Sequence, residues 1–361
     1  MRARPGAEVV SAIAQNRAVI RLSVLDQSIA LAGHGEDAAI RDTLDLASHC
    51  EALGYHRFWL SEHHGLATIV GTAPEVLMAA VAARTRHIRI GSAGVMLPHY
   101  AALKVAEQFR VLEALAPGRI DLGVGRAPGS DMRTAQALNP NAYAAAERFP
   151  EQVRELQAWT EGKPHGGIVA HPRVVEGWAR APEVWILGSS DYGAQLAAHF
   201  GLPYAFAYFF TDGQGVEQAL DLYRSLYRPS ERHPEPQATI CVWALAADTT
   251  LQAQHHALSR ERWRLDRASG HYGPLQAPDD VLRRGFTPAE RDALEASQRR
   301  ALVGSAAEVA AQLRRLAQGL GLQELVVNTW AHDPAARRHS YALLARELSL
   351  SPRVDTLSLV S

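Results

Sequence analysis

Cysteine is scarce: two residues in 361 are too few for a disulfide scaffold and fit a reducing compartment better. Cys50 falls in an amphipathic helical pattern and Cys241 in a strand-like run, so both are expected as small core residues. An excess of one charge is also missing. Lys plus Arg number 37 against 38 Asp plus Glu, and a formal net charge of −1 offers no pull toward nucleic acid or anionic lipid, which leaves small-molecule work favoured. No stretch is apolar for long enough to serve as a signal peptide or membrane span, so a cytoplasmic protein without nucleic-acid or membrane partners is expected. The segment from Met1 contains Arg2, Arg4 and Arg17 and is expected to form a loosely ordered extension over 1–18.

Several enzyme signatures are absent as well. There is no spaced His-x-His, Cys-x-x-Cys or His-Glu-x-x-His pattern, and so no metal site is expected. The Gly-x-Ser-x-Gly elbow of serine hydrolases does not occur. Gly123-Val124-Gly125 lacks the third glycine and the helix context of a dinucleotide fingerprint. No internal repeat, low-complexity tract or linker divides the chain, which is expected to form one domain over 19–361.

What the sequence does have is alternation. Apolar runs of strand length alternate with segments of helical period, the pattern of a parallel sheet with crossover helices. The candidate strands are Val19–Leu25, Arg57–Leu60, Ile88–Ser92, Ile120–Val124, Val184–Leu187, Tyr204–Tyr208, Thr239–Ala246 and Glu324–Asn328. Between them run helical stripes such as Ile40, Leu44, Ala47 and Val105, Phe109, Leu112, Leu115, expected as core. Eight such units specify an α/β fold of the (β/α)8 TIM-barrel type. Two excursions interrupt the rhythm, from Arg126 to about Pro182 and from about Ala268 to Arg300. In a barrel such insertions grow on the catalytic, C-terminal face.

In that architecture, chemistry sits just past the strand ends, and the residues there are polar. The sharpest group is Glu62-His63-His64 after Phe58-Trp59-Leu60, since three consecutive titratable residues are costly to fold unless partners or function compensate. Alternation along an extended chain puts Glu62 and His64 on one side and His63 on the other. An imidazole near neutral pKa suits general acid-base work, and a purely structural pair of rim histidines is the alternative role. Gly188-Ser189-Ser190-Asp191 precedes an amphipathic helix, where its backbone N–H groups and hydroxyls could hold a phosphate, with Arg126 supplying a guanidinium; simple helix capping is the alternative there.

These segments, taken together, resemble one family. The motifs are LSVLDQS (22–28), RFWLSEHH (57–64), IGSAGVMLP (90–98), AEQF (106–109) and PGRIDLGVGRAPG (117–129), with weaker likeness in Tyr223-Arg224, Arg228 to Ser230, Leu302 to Ser305 and His332-Asp333. In this order they are similar to the bacterial luciferase-like, flavin-dependent monooxygenases of the single-chain branch. The resemblance implies a barrel that receives reduced FMN from a separate NAD(P)H:flavin reductase, reacts it with O2 through a C4a-hydroperoxyflavin, and oxygenates a small organic substrate. The cofactor supplies the hard chemistry and the protein the binding, orientation and dryness. By motif position, the resemblance makes His63 the catalytic histidine with His64 and Glu62 as orienting neighbours. It places Ser92, Ala93 and Gly94 behind the flavin ring, where the family often has a non-prolyl cis peptide. It assigns Arg126, Gly188, Ser189 and Ser190 to the flavin phosphate, and a homodimer to the assembly.

The chain also departs from the family pattern. Ile29 stands where single-chain members tend to have Pro, Gly65 where they tend to have Asn, and Trp330 where a smaller apolar residue is expected, so that its ring would narrow the substrate cavity. The alternatives that share this fold are a deazaflavin F420-dependent hydride-transfer enzyme and a non-catalytic flavin-binding subunit. A metal-dependent barrel hydrolase using His63 or His64 lacks a ligand set.

Overall fold

The computed structural model describes residues 20–173 and 181–352, so the expected extension over 1–18 lies outside the described residues. Nine parallel strands form in the order β1 (Arg21–Asp26), β2 (Arg57–Leu60), β3 (Arg89–Met96), β4 (Ile120–Gly125), β5 (Glu183–Gly188), β6 (Tyr204–Phe206), β7 (Ala238–Ala247), β8 (Leu302–Ser305) and β9 (Glu324–Asn328). Strands β1 to β7 each pair with the next, and β9 lies between β7 and β1, closing an eight-stranded (β/α)8 barrel. β8 stands outside the ring and pairs only with the C-terminal half of β7, Leu302 against Ala244 through Ser305 against Ala247.

The alternation of side chains sorts the core into layers. On β7, Val242, Ala244 and Ala246 join the large cluster shared with the helices, while Cys241 meets Leu25, Trp59, Trp185, Ala205 and Val326 from five other strands. Residues from so many strands can converge only in the lumen, so this second cluster fills the barrel. Trp59 and Trp185 pack there edge to face at 5.2 Å. Both cysteines are buried and free, as expected, and burial raises both thiols above the usual range.

The barrel floor is ionic. Arg57, at the start of β2, donates to Asp121 at 2.8 Å, Glu183 at 2.9 Å and Glu324 at 3.0 Å. Asp121 also accepts from Arg89 and from the indole N–H of Trp59, the latter at 2.9 Å. The indole of Trp185 donates to Glu183 at 2.9 Å.

Both excursions lie past strand ends, on the catalytic face. The first, after β4, carries helices Met132–Leu138, Ala142–Glu147 and Phe149–Thr160, and Val153, Leu156 and Trp159 are buried as their spacing predicts. The second follows the helix Thr250–Ala268 and contains Pro278–Arg284 and Pro288–Gln298. Capping boxes at Thr249/Gln252, Thr287/Glu290 and Ser305/Glu308 start three helices here, each satisfying backbone N–H groups that a helix otherwise leaves unpaired. Arg262 and Arg284 tie the insertion together through Asp266 and Glu290. The insertion also closes onto the loop after β1, where Leu275 exchanges backbone hydrogen bonds with Ala30 and Ala32 at 2.8 and 2.9 Å.

Four details differ from the sequence expectation. β3 runs on through Ala93-Gly94 to Met96, with a register shift between Ser92 and Val95. Tyr208 leaves β6 and opens the short helix Tyr208–Thr211. Leu302–Ser305 forms a strand that is not among the eight expected. Leu115 is 62% exposed and lies outside the core stripe of its helix.

Candidate active site

Glu62 is the hub of the site. Its carboxylate is buried and accepts from the Tyr100 hydroxyl at 2.6 Å and the Met96 backbone N–H at 3.0 Å, and it pairs with His64 Nε2 at 2.8 Å. The predicted same-side placement of Glu62 and His64 is therefore what forms. Packing continues outward: His64 stacks edge-on against His99, whose Nε2 hydrogen-bonds the Pro128 carbonyl at 2.9 Å. Burial raises the Tyr100 hydroxyl and the Glu62 charge adds to it, so Tyr100 remains a protonated donor. Glu62 thus fixes His64, the end of β3 and Tyr100 in one geometry.

His63 faces the other way. Its backbone N–H donates to the Gly71 carbonyl at 3.1 Å and its Nδ1 lies 3.2 Å from the Ser61 hydroxyl, while Nε2 has no hydrogen-bond partner among the described residues. Burial lowers this imidazole to about 4; Glu62 opposes the shift, and His64 and Arg267 reinforce it. The ring is therefore neutral at physiological pH, below the near-neutral pKa that the sequence led one to expect. A neutral ring with an uncommitted nitrogen can donate or accept one proton at that atom, and Ser61 holds its orientation.

An aromatic cluster lies on the Arg267 side of His63, since Arg267 acts on His63 and also lies over the Trp263 ring at 5.3 Å. Trp330 is 4% exposed, donates its indole N–H to Gln27 at 3.0 Å and meets Trp263 edge to face at 4.7 Å. Gln27 is also held by Asn328 at 2.5 Å. Ile29 and Ile69 bridge antiparallel below the same cluster. Two of the three departures from the family pattern thus find a packing explanation: Ile29 and Trp330 belong to one apolar cluster. The third, Gly65, has a φ of +67°, a conformation that glycine adopts freely and that asparagine tolerates best among other residues.

In the C-terminal half of β3, the peptide bond between Ala93 and Gly94 is cis. A Cβ at Gly94 would lie 2.3 Å from Leu187 Cδ1 and 2.8 Å from the Gly123 carbonyl oxygen, so the backbone approaches its neighbours more closely than a side chain permits. The Ser92 hydroxyl is already used, donating to the Gly123 carbonyl at 2.9 Å, which ties β3 to β4. Ala93 is left half-buried at the edge of the lumen cluster.

Farther round the rim, Arg126 is exposed and stacks over the Tyr192 ring at 4.0 Å, with no carboxylate partner among the described residues. Ser189 and Ser190 are exposed at the start of the helix Asp191–Phe200, and Ser190 caps it without a side-chain hydrogen bond. The capping alternative thus does not use the Ser190 hydroxyl. Tyr192 brings the guanidinium next to this helix start, so the expected phosphate residues lie close together and uncommitted.

Residues 20–324 match the family model of the luciferase-like monooxygenases. The chain belongs to that family. The luciferase-like monooxygenase of Escherichia coli K12 is 39% identical over 324 residues, covering 90% of this chain and 96% of that one. An N-acetyl-S-alkylcysteine monooxygenase of Bacillus subtilis is 36% identical over 341 residues, covering 91% and 98%. Among solved structures, apo-MsnO8 superposes with a TM-score of 0.86 at 34% identity, covering 92% of this chain and all of that one. The monooxygenase family and the barrel therefore agree with the resemblance seen in the sequence.

Sequence reasoning gave no site role to Ser61, Tyr100, Trp263 or Arg267. Ser61 was within reach of the alternation rule, two residues before His63. The others come from distant elements, and only the fold brings them in.

Proposed function

We propose that this luciferase-like protein is an FMN-dependent monooxygenase that inserts one oxygen atom of O2 into a small organic substrate. The observation that carries the proposal is a pair of features on one barrel face: neutral His63 with a free nitrogen, and the uncommitted anion-binding set Arg126, Ser189 and Ser190. The residues fit a flavin mononucleotide. The guanidinium and helix start suit a phosphate dianion, and the close-packed Ala93-Gly94 segment presents backbone without side-chain bulk where a flat ring would lie. Reduced FMN, delivered by a separate NAD(P)H:flavin reductase, supplies the electrons that activate O2.

The protein's own contributions follow from the geometry. Arg126 binds the phosphate as an ion-pair partner, and Ser189 and Ser190 donate to it. Trp330, Trp263 and the insertion around Leu275 exclude water from the mouth. His63 holds or delivers a proton at Nε2, with Ser61 keeping the ring in place. Glu62, His64 and Tyr100 position the β2 and β3 ends around it.

The test is an anaerobic titration with reduced FMN, followed by mixing with O2 and recording absorbance over time. Saturable binding and slow, substrate-dependent reoxidation support the proposal. Arg126→Ala should weaken reduced-FMN binding by roughly 10- to 100-fold, the worth of a charge-assisted hydrogen bond, without changing unfolding. Binding of reduced F420 in place of reduced FMN would transfer the assignment to hydride transfer.

A further inference from the structure

The helix Thr250–Ala268 turns one face toward the barrel mouth. Arg260, Trp263, Arg264 and Arg267 recur at i, i+3, i+4 and i+7 and so share a side. Trp263 packs on Trp330, and Arg267 is close enough to His63 to lower its pKa. At the other end of this face, roughly 10 Å along the helix axis, Arg260 and Arg264 enter a cleft with Tyr208, Phe209, Trp243 and Arg300.

This cleft carries more donors than acceptors. Arg260 stacks over the Trp243 ring at 4.0 Å and, among the described residues, touches one carboxylate, Glu261 at 3.2 Å. Arg264 donates to Ser297 and shares Glu261 at 3.3 Å; Arg264 and Arg300 reach Asp212 only at 3.5 and 3.4 Å. Three guanidinium groups therefore face two carboxylates. Trp243 is 6% exposed, and its indole N–H is buried without a partner among the described residues, an arrangement that a folded chain rarely leaves unanswered. Burial lowers Arg260 to about 10, so it keeps its charge at neutral pH. The rest of the lining is mixed, with Tyr208, Phe209, Ala301 and Leu302 beside Asp212 and Ser297, and Trp243 and Phe209 also pack in the apolar cluster of the mouth, so they form a wall common to the cleft and the site.

We propose that this cleft binds the carboxylate of an organic substrate, with Arg260 and the Trp243 N–H as its ligands, so that the apolar body extends under Trp263 and Trp330 toward His63. The excess positive charge and the unpartnered donor specify an anion, and the aromatic walls specify that it is carried on an apolar body. Assigning this anion to the substrate rests on the oxygenase proposal; the charge selectivity of the cleft does not.

The probe is benzoate, compared with the neutral benzyl alcohol, by titration calorimetry at low ionic strength. Flavin-free protein should bind benzoate at least tenfold more tightly than benzyl alcohol. Arg260→Met should remove that preference, and Arg300→Gln, at a 59% exposed side chain where folding is not at risk, should weaken benzoate about threefold. Arg126→Ala should leave benzoate binding unchanged, and saturating reduced FMN should shift it less than twofold, because the two anion sites are separate. Equal binding of the two probes, unchanged benzoate affinity in both Arg260→Met and Arg300→Gln, or competition between benzoate and reduced FMN would overturn the proposal. Selective benzoate binding by a protein that fails to bind reduced FMN would leave the cleft standing and remove the flavin assignment.

Discussion

His63→Ala should lower substrate oxygenation by 10²- to 10⁴-fold, the range over which a positioned proton-transfer group contributes, while changing reduced-FMN affinity less than threefold. The expectation rests on position and charge state together. His63 sits past β2 on the catalytic face, its Nδ1 anchored at Ser61 and its Nε2 free, and burial holds the ring at about 4 so that it is neutral at the pH of the cell. The neighbouring Glu62 and His64 make most of their contacts with each other, Tyr100 and the β3 end, so the substitution leaves that scaffold in place. The measurement is a reductase-coupled assay of product formation with a panel of substrates, alongside a reduced-FMN titration of the same preparations. Unimpaired oxygenation by His63→Ala would remove the histidine from the chemistry. A stability readout tests the charge state independently. A histidine whose folded pKa lies below its unfolded value of about 6.5 disfavours the folded state as acid is added, because the unfolded chain takes up the proton first. The wild type should therefore lose stability between about pH 6.5 and 4 through this group, and His63→Ala should lose less over the same window. If both lose equally, the ring is not buried as the structure has it.

The barrel was legible because each of its strands is a short apolar run followed by a helical stripe, so that local pattern and global topology point the same way. What escaped was what local pattern does not encode. β3 continues through Ala93-Gly94 although glycine and alanine give no strand signal, because β4 pairs again with Val95 and Met96 beyond the register shift. Leu302–Ser305 carries only two strongly apolar residues before Gly304 and Ser305, and exists by pairing with the C-terminal half of the long β7. Leu115 satisfies the helical period yet faces solvent, since a stripe drifts out of the core toward the end of its helix. The site shows the same division. Strand-end position and alternation marked Glu62, His63 and His64 and placed them on their correct sides. Tyr100 reaches Glu62, Trp263 packs on Trp330 and Arg267 acts on His63, each from a distant segment, and neither their type nor their spacing could have announced it.

Arg57→Met should destabilise the protein by about 3–5 kcal/mol, the cost of stranding buried charge when one partner is removed. Arg57 is the hub of the barrel floor: its side chain is 4% exposed, contacts Asp121, Glu183 and Glu324 within 3.0 Å, and lies 4.8 Å from the Trp185 ring centre. Asp121 is fully buried, and burial alone would favour its neutral form, but Arg57 and Arg89 reverse that and hold the carboxyl below its ordinary range. Methionine keeps the apolar stem under the tryptophans and deletes the charge, leaving Arg89 as the remaining cation at Asp121. The loss should appear in the midpoint of thermal unfolding at pH 7 and a fixed scan rate. Its pH dependence carries a definite sign. A carboxyl whose folded pKa is depressed contributes stability that is present above its unfolded value, near 3.9, and is lost as pH falls through the folded value. The wild type should therefore weaken steeply in acid below about pH 4, while in Arg57→Met a less depressed Asp121 can take up a proton sooner, so the gap between the two proteins should narrow there. Adding Asp121→Asn to Arg57→Met should recover part of the stability at pH 7, since it removes the charge that was stranded. A gap that stays constant from pH 7 to pH 4, with no recovery in the double variant, would show that Arg57 acts through packing alone. The floor lies at the opposite end of the barrel from His63, so neither substitution is expected to change reduced-FMN affinity in protein that remains folded. The Arg57 network thus braces the end of the barrel away from His63, in keeping with the division between a stabilising face and a catalytic one.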